Sequence, residues 1–581
     1  MKIISIQTYN YRNLDNCFIQ FEENCNFIVG ENNLGKSNLI LLLNTLFTQR
    51  AFKENDFKDI SSPISLTIEL KLNQEEIGHF QDLFTPEECS RITINALQET
   101  VEDSIYFFHK ETGLYIPNSL IRNINYIYYD SLRNPITEIN FDKGIGVGKF
   151  LKHIISQHFK NGKNKEYDFI KTEKLDELLA SINKVISKIK SFKDFNIEAS
   201  KDESIENMLS KIIVFKDDMG SNLVRAGYGV QFLILATLSI LEKLQYIKNQ
   251  RGDKGIFENK EGKKFISLVI ALDEPEIHLH PYMQRSLIKY LNSIIFNENK
   301  EFQELVKDLF NIDEFIGQII IATHSPNILL NNYKQIIRFF PENKKSCIIS
   351  GTQIHIPPHL NKHLHINFPF IKEAFFSRCV IFVEGDSEFS SFPLFANTMS
   401  VELDDLGISI IQARGDSIQQ LMQVVSYFSI PCIGIGDSDG KKQSNEEANY
   451  YVTNKRDFEE ELSFLIDIEK EVVLKNIIIE HDEKGIERKI EAETLNKRLI
   501  DKSGNKKYNL NTTNYKNDLT LSQIKNSDRE SLKSYYITWF SINKSYSLGL
   551  LIGNHLSKES IPSIYKEIIL KAQNLAKNAQ S

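Results

Sequence analysis

The chain has 581 residues, too many for one ordinary hydrophobic core, so two or three domains are expected. Apolar residues make up 41% and charged residues 25%, a balance that excludes a disordered or fibrous chain. The formal net charge of -8 excludes a globally basic protein, so any nucleic-acid binding would rest on a local basic surface. The six cysteines (17, 25, 89, 347, 379 and 432) include no CxxC pair and no histidine at zinc-finger spacing, and read as reduced, buried thiols. The opening Met1-Lys2-Ile3-Ile4-Ser5 lacks the charged-then-apolar layout of a leader. The apolar stretch at 231–241 is only about half the length of a membrane span. A cytoplasmic protein with no membrane partner is expected.

Residues 2–8 and 17–29 pattern as strands, with a turn at 13–16 between them. The second run enters Gly30-Glu-Asn-Asn33-Leu-Gly35-Lys36-Ser37, which fits GxxxxGK[ST], and an apolar helix follows from 37 to about 47. In such a loop the glycines let backbone N–H groups wrap phosphates, Lys36 reaches the β- and γ-phosphates and Ser37 ligates Mg²⁺. Further strands are expected at 64–72, 91–95 and 124–129. From about 150 to 210 the texture turns Lys- and Glu-rich, with Leu175, Leu178, Leu179, Ile182, Val185, Ile186 and Ile189 at helical spacing. This predicts a helical insertion rather than part of a sheet, either with a solvated charged face or as a pairing element between subunits.

The apolar run at 265–272 ends in Asp273-Glu274, the Walker B arrangement, in which Asp273 serves Mg²⁺ and Glu274 the attacking water. Two solvated acids at a strand end would explain that run equally well, but not the third buried strand at 318–322, which ends in His324. In that order His324 resembles the switch histidine of ABC-type ATPases. His278 and His280 are read as structural rather than as a metal-binding pair. The candidate signature loop, Arg225-Ala226-Gly227-Tyr228-Gly229-Val230-Gln231, keeps Gly227, Gly229 and Gln231 but lacks the usual serine, which argues for slow turnover.

A break rich in polar residues and proline is expected at 341–369. Beyond it, strands at 379–383, 408–412 and 431–435 alternate with helical stretches as in a second α/β unit. They lead into Glu384-Gly-Asp-Ser-Glu388, Ala413-Arg414-Gly415-Asp416 and Asp437-Ser-Asp439 respectively. Glutamate after one strand and DxD after a later one is the Toprim signature. Carboxylates at adjacent strand ends converge on one sheet edge, where they can hold one or two Mg²⁺ or Mn²⁺ ions. The last segment, 558–581, reads as an exposed helix.

The order and spacing of these motifs across the chain resemble the OLD (overcoming lysogenization defect) family. The resemblance implies an α/β chain: an ABC-type (RecF/SMC-like) ATPase at 1–149 and 211–365, interrupted by a helical dimerisation insertion at 150–210 and followed by a Toprim nuclease domain at 370–581. It also implies Asp457 and Glu459 as further metal ligands beside Glu384, Glu388, Asp437 and Asp439. A late lysine at the transition-state phosphate is implied too, with Lys544 the candidate and Lys533 and Lys558 the alternatives. The implied function is an ATP-binding, divalent-metal-dependent DNA endonuclease of phage defence, using ATP with Mg²⁺ or Mn²⁺ at both sites. Implied partners are double-stranded DNA, further copies in a dimer or tetramer, and a helicase or a retron reverse transcriptase with its nucleic acid. The alternative is a RecF/SMC-like repair protein whose Toprim unit only binds DNA; eroded acids would mark it, yet 384, 388, 437 and 439 are all acidic. A topoisomerase-like transesterase would need a nucleophilic tyrosine on a winged-helix unit, for which there is no sequence.

Overall fold

The computed structural model describes residues 1–76, 79–80, 90–130, 150, 154, 172–188, 197–201, 213–217, 228–251, 255–277, 279–343, 345–413, 417–501, 505–511 and 514–579. They fall into two compact units, Met1–Phe339 with Ser346–Gln353, and Phe340–Lys345 with Ile354–Ser581. Up to residue 353 the strands are β1 (Lys2–Tyr9), β2 (Cys17–Gln20), β3 (Cys25–Gly30), β4 (Ile64–Lys71), β5 (Arg91–Gln98), β6 (Tyr106–His109), β7 (Tyr115–Ile116), β8 (Asn125–Tyr129), β9 (Ile197–Lys201), β10 (Ile213–Asp217), β11 (Phe257–Glu258), β12 (Lys264–Asp273), β13 (Glu314–Ala322), β14 (Ile336–Glu342) and β15 (Lys345–Ser350).

Two kinds of sheet follow from two kinds of pattern. β4 and β5 alternate buried and half-buried residues, so each offers one face to the core, and they lie in an antiparallel sheet ordered β2-β1-β4-β5-β6-β7. β3 is buried at every residue and stands inside a second sheet ordered β11-β12-β13-β3-β14-β15, with β8 also on β12. There β8, β12, β13, β3 and β14 run parallel, which is why their sequences read as continuous apolar runs. The register Asp273↔Ala322 and Ala322↔Ile28 levels the C-terminal ends of β12, β13 and β3. Phosphate loop, paired acids and histidine thereby reach one sheet edge. The helix Lys36–Thr48 buries Leu39, Ile40, Leu42 and Leu43 in the core between the sheets, where Phe47 stacks on Tyr126. These are the buried parallel strands and covering helix that the apolar runs predicted.

The second unit holds β16 (Cys379–Val383), β17 (Ile408–Gln412), β18 (Cys432–Gly436) and β19 (Tyr450–Val452) in a parallel sheet ordered β17-β16-β18-β19. The chain leaves β16 toward one side and returns to the other, so β16 and β18 flank a topological switch point, where α/β sheets open a crevice at the strands' carboxyl ends. The helices pack with Phe392, Phe395, Trp539 and Tyr565 in the core.

Three expectations are corrected. The stretch 341–369 is not a break: it carries β15 and most of the helix Pro358–Ile371, whose Leu360, Leu364 and Phe368 are buried. Pro358 sits in the first turn, where its missing N–H costs nothing. The final helix, Ser563–Asn578, is not exposed all round, because Ile564, Tyr565, Ile568, Ile569 and Ala572 form a buried stripe. Within 150–210 the described residues contain the helix Thr172–Ile186 but also β9, which pairs with β10 in an antiparallel hairpin. Alternation over five residues was too short to stand out from the charged surroundings. Among the described residues no helix is long and apolar enough to cross a membrane.

Candidate functional sites

In the first unit the phosphate loop closes on its own lysine. Lys36 Nζ donates to the carbonyls of Gly30 (3.0 Å) and Glu31 (2.6 Å). Gly30 has a φ of +129°, and a Cβ there would stand 2.1 Å from the Phe339 carbonyl oxygen, so no other residue fits. Asn33 (φ 63°) and Gly35 (φ 101°) complete the turn in the left-handed region. Ser37 Oγ donates to Asp273 Oδ1 at 2.9 Å, bringing the two Mg²⁺ candidates together. Burial pushes Asp273 up to about 6 against the Ser37 hydroxyl, and pushes Lys36 down to about 8 despite Glu274 and Asp273 nearby. His324 Nε2 lies 3.3 Å from Glu274 Oε1, and its pKa is lowered by burial and by Lys36. At neutral pH the imidazole is therefore largely neutral.

Several supports escaped the sequence reading. Glu276 accepts the backbone N–H of His324 and so holds the histidine turn. Arg12, Asn13 and Asn38 form a chain of side-chain bonds that ends on the Asn33 carbonyl of the phosphate loop. Ser346 Oγ donates to the Leu34 carbonyl at 2.6 Å. No local pattern marks such contacts, because their partners lie up to 312 residues apart. Gln231 of the candidate signature loop is 1% exposed, its side chain inside the unit rather than on a surface. Gly227 and His278 lie outside the described residues, as do Arg414, Gly415 and Asp416, and Gly229 lies in the helix Tyr228–Arg251. His280 precedes the helix Pro281–Ile295 with its ring against Tyr282, a structural placement.

In the second unit Glu384 follows β16 and Asp437 follows β18. Glu384 Oε2 accepts the Asp437 N–H at 2.9 Å, and Asp437 Oδ1 accepts the Phe458 N–H at 3.2 Å. Lys544, between the helices Arg529–Ile542 and Tyr546–His555, places Nζ 3.3 Å from Glu459 Oε1 and 4.0 Å from Asp437 Oδ2. Burial, with help from neighbouring carboxylates, pushes Asp437 up to about 8. Burial likewise takes Glu388 up to about 7, against the pull of Lys544. Burial alone would lower Lys544, but Glu388, Glu459 and Asp437 outweigh it and raise its pKa, which favours the ammonium form. Of the alternatives, Lys533 is paired with Asp467 at the surface, and Lys558 is exposed.

Two predicted ligands stand apart. Asp439 turns to Lys442 at 3.1 Å with half its side chain exposed. Asp457 has both oxygens engaged: Oδ1 accepts the Glu460 N–H, capping the helix Phe458–Leu462, and Oδ2 accepts the hydroxyl of Tyr508 at 2.7 Å. Tyr508 carried no sequence signal.

The AAA ATPase domain family matches residues 1–167 and 65–329, more than half of the chain. The chain belongs to the AAA ATPase domain family. A second family, "Overcoming lysogenization defect protein-like, TOPRIM domain", matches residues 375–439, which span β16 to Asp439. Endonuclease GajA of Bacillus cereus (strain HuB5-5) is 23% identical over 69% of this chain and 59% of its own length, so the match spans less than two thirds of that relative. The Old nuclease of Escherichia phage P2 is 23% identical over 71% of this chain and 73% of its own. The C-terminal region of the Xanthomonas campestris pv. campestris OLD protein is 19% identical over 35% of this chain and 96% of that one, with a TM-score of 0.24.

AAA ATPase and TOPRIM domains use nucleotide and divalent metal, and the TOPRIM residues fit a hard cation. Their donors are all carboxylate oxygens, the ligand set Mg²⁺ and Mn²⁺ take. Glu388 Oε2 is buried without a hydrogen-bond partner, beside Gly385, where a Cβ would stand 2.6 Å from it. A lone buried carboxylate oxygen is costly unless something positive completes it. Among the described residues no three ligand groups already converge at metal-binding distance, and the Lys544 ammonium stands amid the carboxylates.

Proposed function

We propose that this chain is an ATP-binding, divalent-metal-dependent DNA endonuclease whose cutting is regulated by nucleotide. The observation that carries the reading is Lys544, a cation held 3.3 Å from Glu459 and 4.0 Å from Asp437 where the carboxyl ends of β16 and β18 open. A group so placed can meet charge that develops on a phosphodiester during attack. Glu384, Glu388, Asp437 and Glu459 would hold one or two Mg²⁺ or Mn²⁺ ions, which supply an activated water and neutralise the phosphate. Asp457 positions the helix bearing Glu459. In the ATPase, Lys36 and the loop N–H groups bind the phosphates, Ser37 and Asp273 serve the Mg²⁺, and Glu274 with His324 addresses the γ-phosphate.

The printed names of the two relatives, an endonuclease and a nuclease, support this reading. On it, residues 1–149 and 211–365 form the ATPase, 150–210 the dimerisation insertion and 370–581 the cutting domain. Double-stranded DNA is the substrate, phage defence in the cytoplasm the role, and a helicase or retron reverse transcriptase a possible companion. A RecF-like clamp that only binds DNA gives no reason for the buried Glu388 and Glu459 to gather beside a lysine. The test is plasmid cleavage with Mg²⁺ or Mn²⁺. Glu384→Ala and Asp437→Ala are expected to abolish cutting with ATP binding and melting temperature retained; wild-type cutting in either variant would refute the assignment.

A further inference from the structure

A chain with net charge -8 that cuts DNA needs a local basic surface, and the TOPRIM unit has one that no single stretch of sequence shows. Three dibasic pairs, Lys441-Lys442, Lys455-Arg456 and Lys506-Lys507, lie on three loops up to 66 residues apart in sequence. Hydrogen bonds draw those loops into one rim. The Asp439 N–H donates to the Arg456 carbonyl at 2.9 Å, and Ser438 Oγ donates to the Lys455 carbonyl at 2.6 Å. The N–H groups of Lys441 and Lys442 both donate to the Ser438 carbonyl, at 2.9 and 2.8 Å. Arg456 Nη1 donates to the Lys507 carbonyl at 3.1 Å. The hub is Tyr508, 4% exposed, whose ring has Lys507 Nζ at 5.1 Å and the Arg456 guanidinium at 6.0 Å. Its hydroxyl is the one that holds Asp457.

The acids near this rim are turned away or are few. Glu460 and Glu461 accept the backbone N–H groups of Arg456 and Lys455, so their carboxylates point back into the unit. Asp439 is the one acid among residues 438–442, 454–456 and 505–509, and Lys442 pairs with it. Glu446 and Glu447 lie exposed in the following turn, and the exposed Asp501 accepts the Asn505 N–H beside Lys506, so these acids offset part of the charge. The six cations outnumber these acids, which leaves the rim positive, and its first loop begins one residue after Asp437.

We infer that this rim is the track for the DNA phosphodiester backbone, delivering one phosphate to the Asp437–Lys544 cluster while flanking phosphates rest on the basic loops. The choice of ligand rests on the DNA-cutting reading above. Phosphates recur about every 3.4 Å along each strand, so three adjoining loops can engage several at once. Tyr508 ties the track to the cutting site, because one side chain orders both the basic loops and the helix bearing Glu459.

The experiment is binding of a duplex oligonucleotide to the full chain in EDTA over a salt series, comparing wild type with Lys441→Ala/Lys455→Ala/Lys507→Ala. Lys506 is left in place because its ammonium is bound to the Leu510 and Asn511 carbonyls. The slope of log affinity against log salt should weaken by about 2.7, at roughly 0.9 per lost phosphate contact, with affinity reduced on the order of tenfold or more. The Lys→Arg triple variant should restore both, which separates charge from folding. An unchanged slope in the alanine variant, with wild-type melting, overturns the track while leaving the nuclease reading standing. A weakened slope in a chain that never cuts with Mg²⁺ or Mn²⁺ does the reverse: the track stands and the nuclease reading falls.

Discussion

Lys544 is the residue for which geometry says most about timing. On the DNA-cutting proposal, a lysine 3.3 Å from Glu459 is balanced at rest, so its benefit would grow only as negative charge builds on the phosphate. Lys544→Ala is therefore expected to slow single-turnover cleavage by about a hundred- to a thousandfold, or ~2.7–4 kcal/mol, with little change in DNA affinity. If affinity falls instead and the chemical step is unchanged, Lys544 is a tether. The carboxylates around it make a separate pH statement. Burial raises Asp437 and Glu388 to about 8 and about 7, so the metal-free cluster is partly protonated at neutral pH. Because the folded pKa values exceed the unfolded ones, the stability they contribute is full below the ordinary carboxylate range and is lost as pH rises through 7 to 8. A metal must displace those protons. Calorimetric titration of Mn²⁺ in buffers of different ionisation enthalpy should show proton release at pH 6.5 that fades by pH 9 and shrinks in Asp437→Asn. Binding without proton release at pH 6.5 would contradict the assigned protonation.

At the scale of elements, the head depends on how closely the helix Pro281–Ile295 approaches β13. Gly317 permits that approach: a Cβ there would stand 1.8 Å from Ile295 Cγ2, with both positions enclosed in the core. Gly317→Ala must push helix and sheet apart or distort both, at a cost of ~1–3 kcal/mol. The denaturant midpoint should fall accordingly, and an unchanged midpoint would show that the interface can slide. The same closeness explains why Gly317 broke the apolar run at 314–322 in sequence without breaking the strand. The helix Ser563–Asn578 teaches the converse, since its many polar residues hid a stripe that packs against the TOPRIM core.

For the whole molecule, the proposed ATP site gathers a phosphate loop, two acids and a histidine at one sheet edge. On the proposed reading a second copy would close that site, and closed symmetric assembly is the usual arrangement. Light scattering at micromolar concentration with ATP should give at least a dimer, and Lys36→Ala should weaken any ATP-dependent gain in mass. A monomer under both conditions would count against the shared site.

The motifs were legible because each is local. Gly30 to Ser37, Asp273-Glu274, His324, Glu384 and Asp437 all end or follow buried strands, and a buried strand announces itself as an apolar run whose C-terminal end opens at the sheet edge. That much of the fold, and the placing of the candidate residues at strand ends, the linear order alone determined. Which acids work together was decided only in three dimensions. Asp439 and Asp457 sit within two residues of Asp437 and Glu459, yet Asp439 turns to Lys442 and Asp457 caps a helix under Tyr508, because hydrogen-bond partners 3 to 51 residues away fix each rotamer. The basic rim is likewise a product of loop–loop hydrogen bonds. Charge at one position is written in the sequence, but a field is a sum over neighbours in space, and those neighbours exist only once the chain has folded.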